Sequence, residues 1–353
     1  MGLIDLGSDT ATRPSAAMLA AMASAELGDE QKGEDPTTLA LEARVAAMLG
    51  KERALFLPSA TMANQIALAL HVESGGEVIA HRTAHVVHYE GGGTSLIARA
   101  QPYLLDTPRG LFNVDDIRDA IRADDPHHPR SRCVVVENTS NAGGGTVWPV
   151  DLLDSVYDFC AHSGLAVHID GARLWNAAEA LGLPVARLVR GATTVQVCFS
   201  KALGCPFGAV LAMPAALWPR ARRLKQALGG ALRQSGVITA AMDHALDHHL
   251  GALSDDHRRA RRLAEALATM PDVRVEPVET NLVFFSVPEP GAFLASIAAN
   301  GVRMGAVAKT VSPWPSGGRQ RLRACLHRDI DDDGLNAAIA ACSAALLPTV
   351  SRR

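Results

Sequence analysis

The apolar positions of the chain follow two rhythms. From about residue 53 to residue 213, short runs of β-branched and aliphatic residues alternate with longer stretches of helical period. Arg53–Pro58, Glu77–Ala80, Cys133–Glu137, the run ending at Asp170, Thr194–Cys198 and Gly208–Met213 read as buried strands. Helical stretches stand between them, one opening at Ser59 and another covering Val150 to about His162. Repeated β-α-β units predict a parallel sheet covered on both faces, with ligands at the carboxyl ends of its strands. From about Asp255 the rhythm changes to a helix (Arg258–Met270), a strand (Leu282–Val287), a helix (Pro290–Asn300), a strand around Gln320–Cys325 and an Ala-rich helix ending near Leu347. The predicted fold is therefore α/β. A large domain spans residues 1–250, the N-terminal segment 1–30 included, and a small C-terminal α+β domain spans residues 251–353.

Two further helices are expected near the N-terminus, one opened by Pro14 and running to about Leu27, the other from Leu39 to Leu49. The turn-rich loop Gly28–Thr38 separates them. Pro214 to about His249 reads as helix interrupted at Gly229–Gly236. A length of 353 residues exceeds one ordinary core and can enclose a sizeable site. With 48% hydrophobic and 20% charged residues and a net charge of -3, the chain has no electrostatic footprint for nucleic acid or a membrane surface. The six cysteines are scattered without a C-x-x-C pair and are expected to be reduced and structural. The N-terminus has neither a basic nor an apolar leader region, and no apolar run approaches a membrane span, so a cytoplasmic location is expected.

The candidate chemistry lies at strand ends. Thr194–Phe199 stops abruptly at Ser200-Lys201 before a Gly-containing turn, and a lysine there is either ion-paired or used as an amine. Ala166–Ile169 ends in Asp170 in the same way. An amine and an acid at two strand ends are what pyridoxal phosphate needs, the amine for a Schiff base and the acid beneath the pyridine nitrogen; a structural Lys–Asp pair is the alternative on spacing alone. Pro58-Ser59-Ala60-Thr61 joins a strand to a helix N-terminus that suits a phosphate, although neither nucleotide-loop spacing is present. His81, His85, His88 and Glu90 precede a glycine hinge and offer a stacking ring, a base or a metal site. Metal is the least favoured of these, because the spacing is not that of zinc ligands. His244 and His248 stand four apart without the glutamate that a zinc protease carries at position 245.

Read together, Ser8-Asp9-Thr10-Ala11-Thr12-Arg13-Pro14, Gly33-Glu34-Asp35-Pro36-Thr37, Pro58-Ser59-Ala60-Thr61-Met62-Ala63-Asn64-Gln65, Glu137-Asn138-Thr139, Asp170-Gly171-Ala172-Arg173-Leu174, Ser200-Lys201 and Gly229-Gly230-Ala231-Leu232-Arg233-Gln234 resemble the L-threonine aldolases. These belong to the β-eliminating lyase group of fold-type-I pyridoxal phosphate (PLP) enzymes, and the match runs nearly end to end. The resemblance implies a mostly parallel seven-stranded sheet, pyridoxal 5'-phosphate bound to Lys201, Asp170 at the pyridinium nitrogen and His85 stacked on the ring. It implies that Ala60 and Thr61 contact the phosphate, with Arg233 near it, in a subunit-shared arrangement. Ser8, Arg173 and Arg323 would hold the substrate carboxylate, a role that suits a planar guanidinium. His127, with His128 beside it, occupies the place of a second histidine near the β-hydroxyl. A homo-oligomer, dimer or tetramer, is implied by the family only. Three positions depart from the pattern: Ala60 and Ala202 stand where glycine is usual, and Lys32 where tyrosine is common.

The reaction so implied is retro-aldol cleavage of L-threonine, L-allo-threonine or a related β-hydroxy-α-amino acid to glycine and an aldehyde, with His85 or His127 as base. Other PLP reactions on amino acids (β-elimination, transamination, racemisation) stay open, since the cofactor residues do not fix which bond breaks. A non-catalytic homologue is the reading from a different class, and an unaltered Lys201, Asp170 and Arg323 argue against it.

Overall fold

The computed structural model describes residues 2–308 and 318–346. After the two-residue strand β1 (Ile4–Asp5), Ser15 caps helix α1 (Ala16–Ala23) by accepting from the Met18 amide at 3.1 Å. α1 stops four residues before the expected Leu27. Gly28 passes so close to the next loop that a Cβ there would stand 2.1 Å from the Glu34 carbonyl oxygen, so the chain must leave the helix to make that crossing. Helix α2 (Pro36–Met48) starts three residues earlier than expected, because Asp35 is its N-cap and Pro36 fits the first helical position.

The Asp35 carboxylate is buried and serves three backbone donors. It accepts from Thr38 at 2.8 Å, within α2, and from Gly28 and Gly236 at 3.1 Å each. One side chain thus caps a helix and pins two distant glycines.

The large sheet is built from β2 (Arg53–Leu57), β3 (Glu77–His81), β4 (Gln101–Leu105), β5 (Ser131–Glu137), β6 (Ala166–Gly171), β7 (Thr194–Cys198) and β8 (Ala209–Met213). Their order is β2-β8-β7-β6-β5-β3-β4, and only β8 runs against its neighbours. Every residue of β3, β7 and β8 is buried, which explains the continuous apolar runs of a sheet covered on both faces. β4 escaped the sequence reading. It carries Pro102 and is partly exposed, as an edge strand can be, and so lacks the apolar signature of the inner strands. Helix α3 (Ala60–His71) lies on one face with the strand residues Leu55, Leu57, Leu211 and Met213, and the larger core, which includes Trp148 and Val195, fills the other.

The remaining strands are β9 (Arg274–Val275), β10 (Leu282–Ser286), β11 (Val302–Arg303), β12 (Gly305–Ala306) and β13 (Leu322–Cys325). They form an antiparallel sheet β12-β13-β10-β9, while β11 pairs with β1. A second core gathers around Phe285, Phe293, Leu322 and Leu335, flanked by helices Leu253–Ala268, Pro290–Ala299 and Asp332–Leu346. Leu347, where the last helix was expected to end, lies outside the described residues. Leu6 belongs to this second core, so the first residues do not pack with the large sheet as the sequence grouping placed them. The detour carries Gly7, Ser8 and Asp9 between the two cores. Among the described residues no helix is long and apolar enough to cross a membrane.

Replacing Asp35 with alanine removes the acceptor of three amides and is expected to lower stability by about 2–4 kcal/mol. Urea unfolding at neutral pH measures it; a loss of a few tenths of a kcal/mol would show that water replaces the carboxylate.

Candidate active site

The strand ends of β5, β6 and β7 open onto a cavity of about 420 Å³ whose wall includes Ser8, His85, Arg173, Lys201, Phe284 and Arg323. β7 delivers Lys201. The turn after it is closed by Gly204 donating to the Lys201 carbonyl at 2.8 Å and Cys205 to the Phe199 carbonyl at 3.1 Å. Among the described residues the Lys201 amine enters no salt bridge and no side-chain hydrogen bond, so it reaches the cavity as an available group.

β6 delivers Asp170, which is buried. Its carboxylate accepts from the Ala172 amide at 3.1 Å and from Asn64 Nδ2 at 2.9 Å, so α3 and β6 meet at this acid. Gly171 follows because the sheet is tight there: a Cβ would stand 2.2 Å from the Gln196 carbonyl oxygen. Asn64 lies about one helical turn, roughly 5 Å, beyond Ala60 and Thr61, which start α3. The helix N-terminus expected to hold a phosphate is therefore next to the acid expected to hold a ring nitrogen, although neither Ala60 nor Thr61 is part of the cavity wall.

His85 stands on the wall with its side chain one-third exposed, Nδ1 2.8 Å from the buried Glu90 carboxylate. Burial is the largest single influence and works against a charged imidazole, but the Glu90 hydrogen bond and the charges of Asp170, Glu137 and Glu90 together outweigh it and raise the His85 pKa. The His85 amide donates to Glu137 at 2.6 Å, and Glu137 also accepts from Asn141 at 2.7 Å. Burial raises the Glu137 pKa, and the Asp170 charge adds to that. His85, Glu90 and Asp170 bring three ligand-type atoms within 4.8 Å of one another. The amide of Asn64 donates to both carboxylates, a use of their oxygens that competes with any cation.

Two arginines converge from opposite directions. Arg173 is bound at two points by Asp9, at 2.7 and 2.8 Å, and both residues are buried. Arg323, on β13, donates to the Gly7 carbonyl at 2.8 Å. Asn141 Oδ1 accepts from both guanidiniums, at 3.4 Å from Arg173 and 3.1 Å from Arg323. Ser8 adds a hydroxyl beside them. Burial alone would raise the Asp9 pKa, but the Arg173 charge and hydrogen bonds hold it at about 2.

Two expected residues are elsewhere. His127 is 88% exposed, its Nδ1 held by Asp125 at 2.7 Å, on the loop before β5. The full length of β5, about 20 Å, separates that loop from the strand end at the cavity, so His127 cannot act in the site of its own chain. Arg233 is 62% exposed and pairs with Asp29 at 3.1 Å, also away from the cavity wall. Conversely, the sequence motifs assign no site role to Asp9, Asn64 or Asn141, and place Glu90 only in a histidine cluster. A buried arginine demands a carboxylate, which was the one signal pointing to an acid near Arg173.

Residues 5–290 match the family model for beta-eliminating lyases. The chain belongs to that family. It is 40% identical over 335 residues to a probable low-specificity L-threonine aldolase 2 of Arabidopsis thaliana, covering 93% of each protein. A low specificity L-threonine aldolase of Escherichia coli K12 is 38% identical over 291 residues, covering 82% of this chain and 86% of the relative. The structure of a threonine aldolase from Leishmania major superposes with a TM-score of 0.84 at 22% identity, covering 97% of this chain and 99% of that one. The fold is that of the fold-type-I enzymes, and members of this family depend on pyridoxal phosphate. The residues present fit that group: an available amine and an imidazole stand on the wall of one cavity of sufficient size, next to a buried acid hydrogen-bonded on both oxygens and about one helical turn from a long helix N-terminus.

The Asp9–Arg173 pair should give the fold an acid-sensitive element. The folded pKa of Asp9, about 2, lies below that of a free aspartate, so the stabilisation is complete above pH 4 and is lost as pH falls from about 4 towards 2. Asp9→Asn should lose about 2 kcal/mol at pH 7 and show a flatter decline through that window. Unfolding measured at pH 7, 4 and 3 decides it; parallel curves for both proteins would remove Asp9 from the role.

Proposed function

We propose that the chain cleaves the Cα–Cβ bond of β-hydroxy-α-amino acids such as L-threonine and L-allo-threonine, releasing glycine and an aldehyde, with pyridoxal 5'-phosphate held at Lys201. The observation that carries this reading is the convergence of two guanidiniums and an available amine on one cavity, with a buried acid at the adjoining strand end. When bound, the cofactor supplies the electron sink that stores the pair left on Cα as the bond breaks. Lys201 would hold it through its free amine. Asp170 would keep the ring nitrogen protonated, and His85 would lie over the ring. Ala60 and Thr61 lie at the phosphate, at the amino end of α3.

Arg173, Arg323 and Ser8 would bind the substrate carboxylate, and a carboxylate fixed there decides which bond at Cα is presented for cleavage. Asp9 and Asn141 orient the two arginines before substrate arrives, so little is lost in ordering them. His85 is the base. Glu90 occupies Nδ1, leaving Nε2 to take the β-hydroxyl proton directly or through water. His127 and Arg233 belong, in this reading, to the site of a neighbouring copy in a homo-oligomer. Their exposure and their distance from their own cavity support that, as do the exposed apolar side chains Leu19, Leu27 and Leu39. A cytoplasmic location is part of the same proposal and accords with six buried free cysteines.

Lys201→Ala is expected to abolish aldehyde release without loss of the fold, assayed with threonine, allo-threonine and phenylserine; undiminished turnover refutes the assignment. Ammonia or keto acid as the main product from the unaltered enzyme would move the reading to another PLP reaction. Arg323→Leu should raise KM by roughly 30- to 160-fold, the equivalent of about 2–3 kcal/mol for a lost charged pair, with a smaller change in kcat. An unchanged KM takes Arg323 out of the carboxylate site.

A further inference from the structure

Beneath α3 the large sheet carries a polar line where its other positions are apolar. Val78 and Ala80 on β3, Cys133 and Val135 on β5, and Leu211 and Met213 on β8 face that side. On β6 and β7 the corresponding positions are His168 and Asp170, in register with Thr194 and Gln196, and α3 sets Asn64 and His71 over them. All but the half-buried His71 are removed from solvent. Such burial costs stability unless the groups are paired and needed. The reaction as derived uses only Asp170.

The hydrogen bonds along this line have one direction. Asn64 Nδ2 donates to Glu90 Oε1 at 2.7 Å and to Asp170 Oδ2 at 2.9 Å. Turned over, the amide would set its oxygen against two carboxylates, so its orientation is determined. Asn64 Oδ1 then accepts, and His168 Nε2, 3.0 Å away, carries the hydrogen. Burial holds His168 neutral, its pKa lowered to about 4, so Nδ1 is a bare acceptor for the Thr194 hydroxyl at 2.9 Å. Having given its one hydrogen, Thr194 Oγ1 accepts from His71 Nε2 at 2.8 Å. Every donor from His71 inward points at the Glu90–Asp170 pair. One amide holds both the acid beneath the cofactor ring and the carboxylate that grips His85.

We infer that Asn64 is a positioning residue for the reaction, the hub that holds Asp170 and His85 in register, and that His168 and Thr194 set its orientation from behind. This rests on the reading in which Asp170 meets the ring nitrogen and His85 covers the ring. Without the amide, two buried carboxylates lose their shared donor, and Asp170 is left with the Ala172 amide and Glu90 with Gln65. Asp170 is then less firmly fixed towards the ring nitrogen, and Glu90 towards His85 Nδ1. Substrate carboxylate binding, carried by Arg173, Arg323 and Ser8, is untouched. The loss therefore falls on cofactor affinity and kcat.

Asn64→Leu, close in size, is the main test. It is expected to bind pyridoxal 5'-phosphate about tenfold more weakly or worse, as the loss of a buried charged hydrogen bond implies, to lower kcat at least as much, and to keep KM within about twofold. The pH profile of the visible band of the lysine-bound cofactor should shift as well. Wild-type affinity, kcat and band with only a lower melting temperature would overturn the inference, leaving Asn64 a structural residue. Should Asn64→Leu fail to fold, Thr194→Val and Thr194→Ser decide. In the cofactor-free protein, histidine-selective ¹⁵N NMR is expected to find His168 protonated at Nε2 alone; Thr194→Val should mix its tautomers and shift the visible band of the loaded enzyme, and Thr194→Ser should restore both. An Nδ1–H His168, or a Val variant indistinguishable from the unaltered protein, overturns it. The underlying reading is checked apart from this, by borohydride reduction and peptide mass mapping of the unaltered enzyme: no cofactor on Lys201 refutes that reading, whereas the NMR result stands or falls without cofactor.

Discussion

Burial of negative charge is the constraint on which the rest of this structure depends. Asp9, Glu90, Glu137 and Asp170 are all buried around one cavity, and none could remain there as an isolated anion. Each is held by specific donors: Asp9 by Arg173 and Asn281, Glu90 by Asn64, Gln65 and His85, Glu137 by two backbone amides, Asp170 by Asn64 and the Ala172 amide. The donors come from helices, loops and strands far apart in the chain. Satisfying these acids therefore assembles the site, and the basic groups Arg173, Arg323, Lys201 and His85 collect where the negative field favours them.

The fold answers this constraint with topology. A mostly parallel sheet places the carboxyl ends of β5, β6 and β7 side by side, so Glu137, Asp170 and Lys201 meet although the sequence separates them widely. The second core completes the cavity from outside. β1 pairs with β11, the Leu6 carbonyl accepts from Cys325 at 2.8 Å, and Arg323 donates to Gly7. Through these contacts the N-terminal segment is drawn across, and Ser8 and Asp9 arrive beside Arg173. Both arginines are thus positioned by the same short stretch of chain.

Much of the architecture was legible in the pattern of apolar positions. The buried strands announce themselves as β-branched runs, and the helix over Val150–His162 was bounded correctly. Failures cluster where local signals are weak or overruled. β4 reads poorly because an edge strand keeps polar and proline positions, and α1 ends early because Gly28 must pass the Glu34 backbone. In the site, Lys201, Asp170, His85, Arg173, Ser8 and Arg323 stand close to one another as expected. His127 and Arg233 do not join them in this chain, since a motif match carries no information about where the fold places a side chain.

The sequence by itself determined which residue types end each strand, and with them the amine, the acid and the small-residue turn that suit pyridoxal phosphate. Those choices are local: strand propensity, hydrophobic period and turn chemistry act over a few residues and can be read along the chain. Only the tertiary structure decided the partners. Asp9 and Arg173 are 164 positions apart, and Asn64 and Asp170 are 106 apart. Such pairings depend on register, on helix placement and on which buried group lacks a donor once the sheet has closed. A charge must find its complement in three dimensions, and nothing in the linear order of the residues states where that will be.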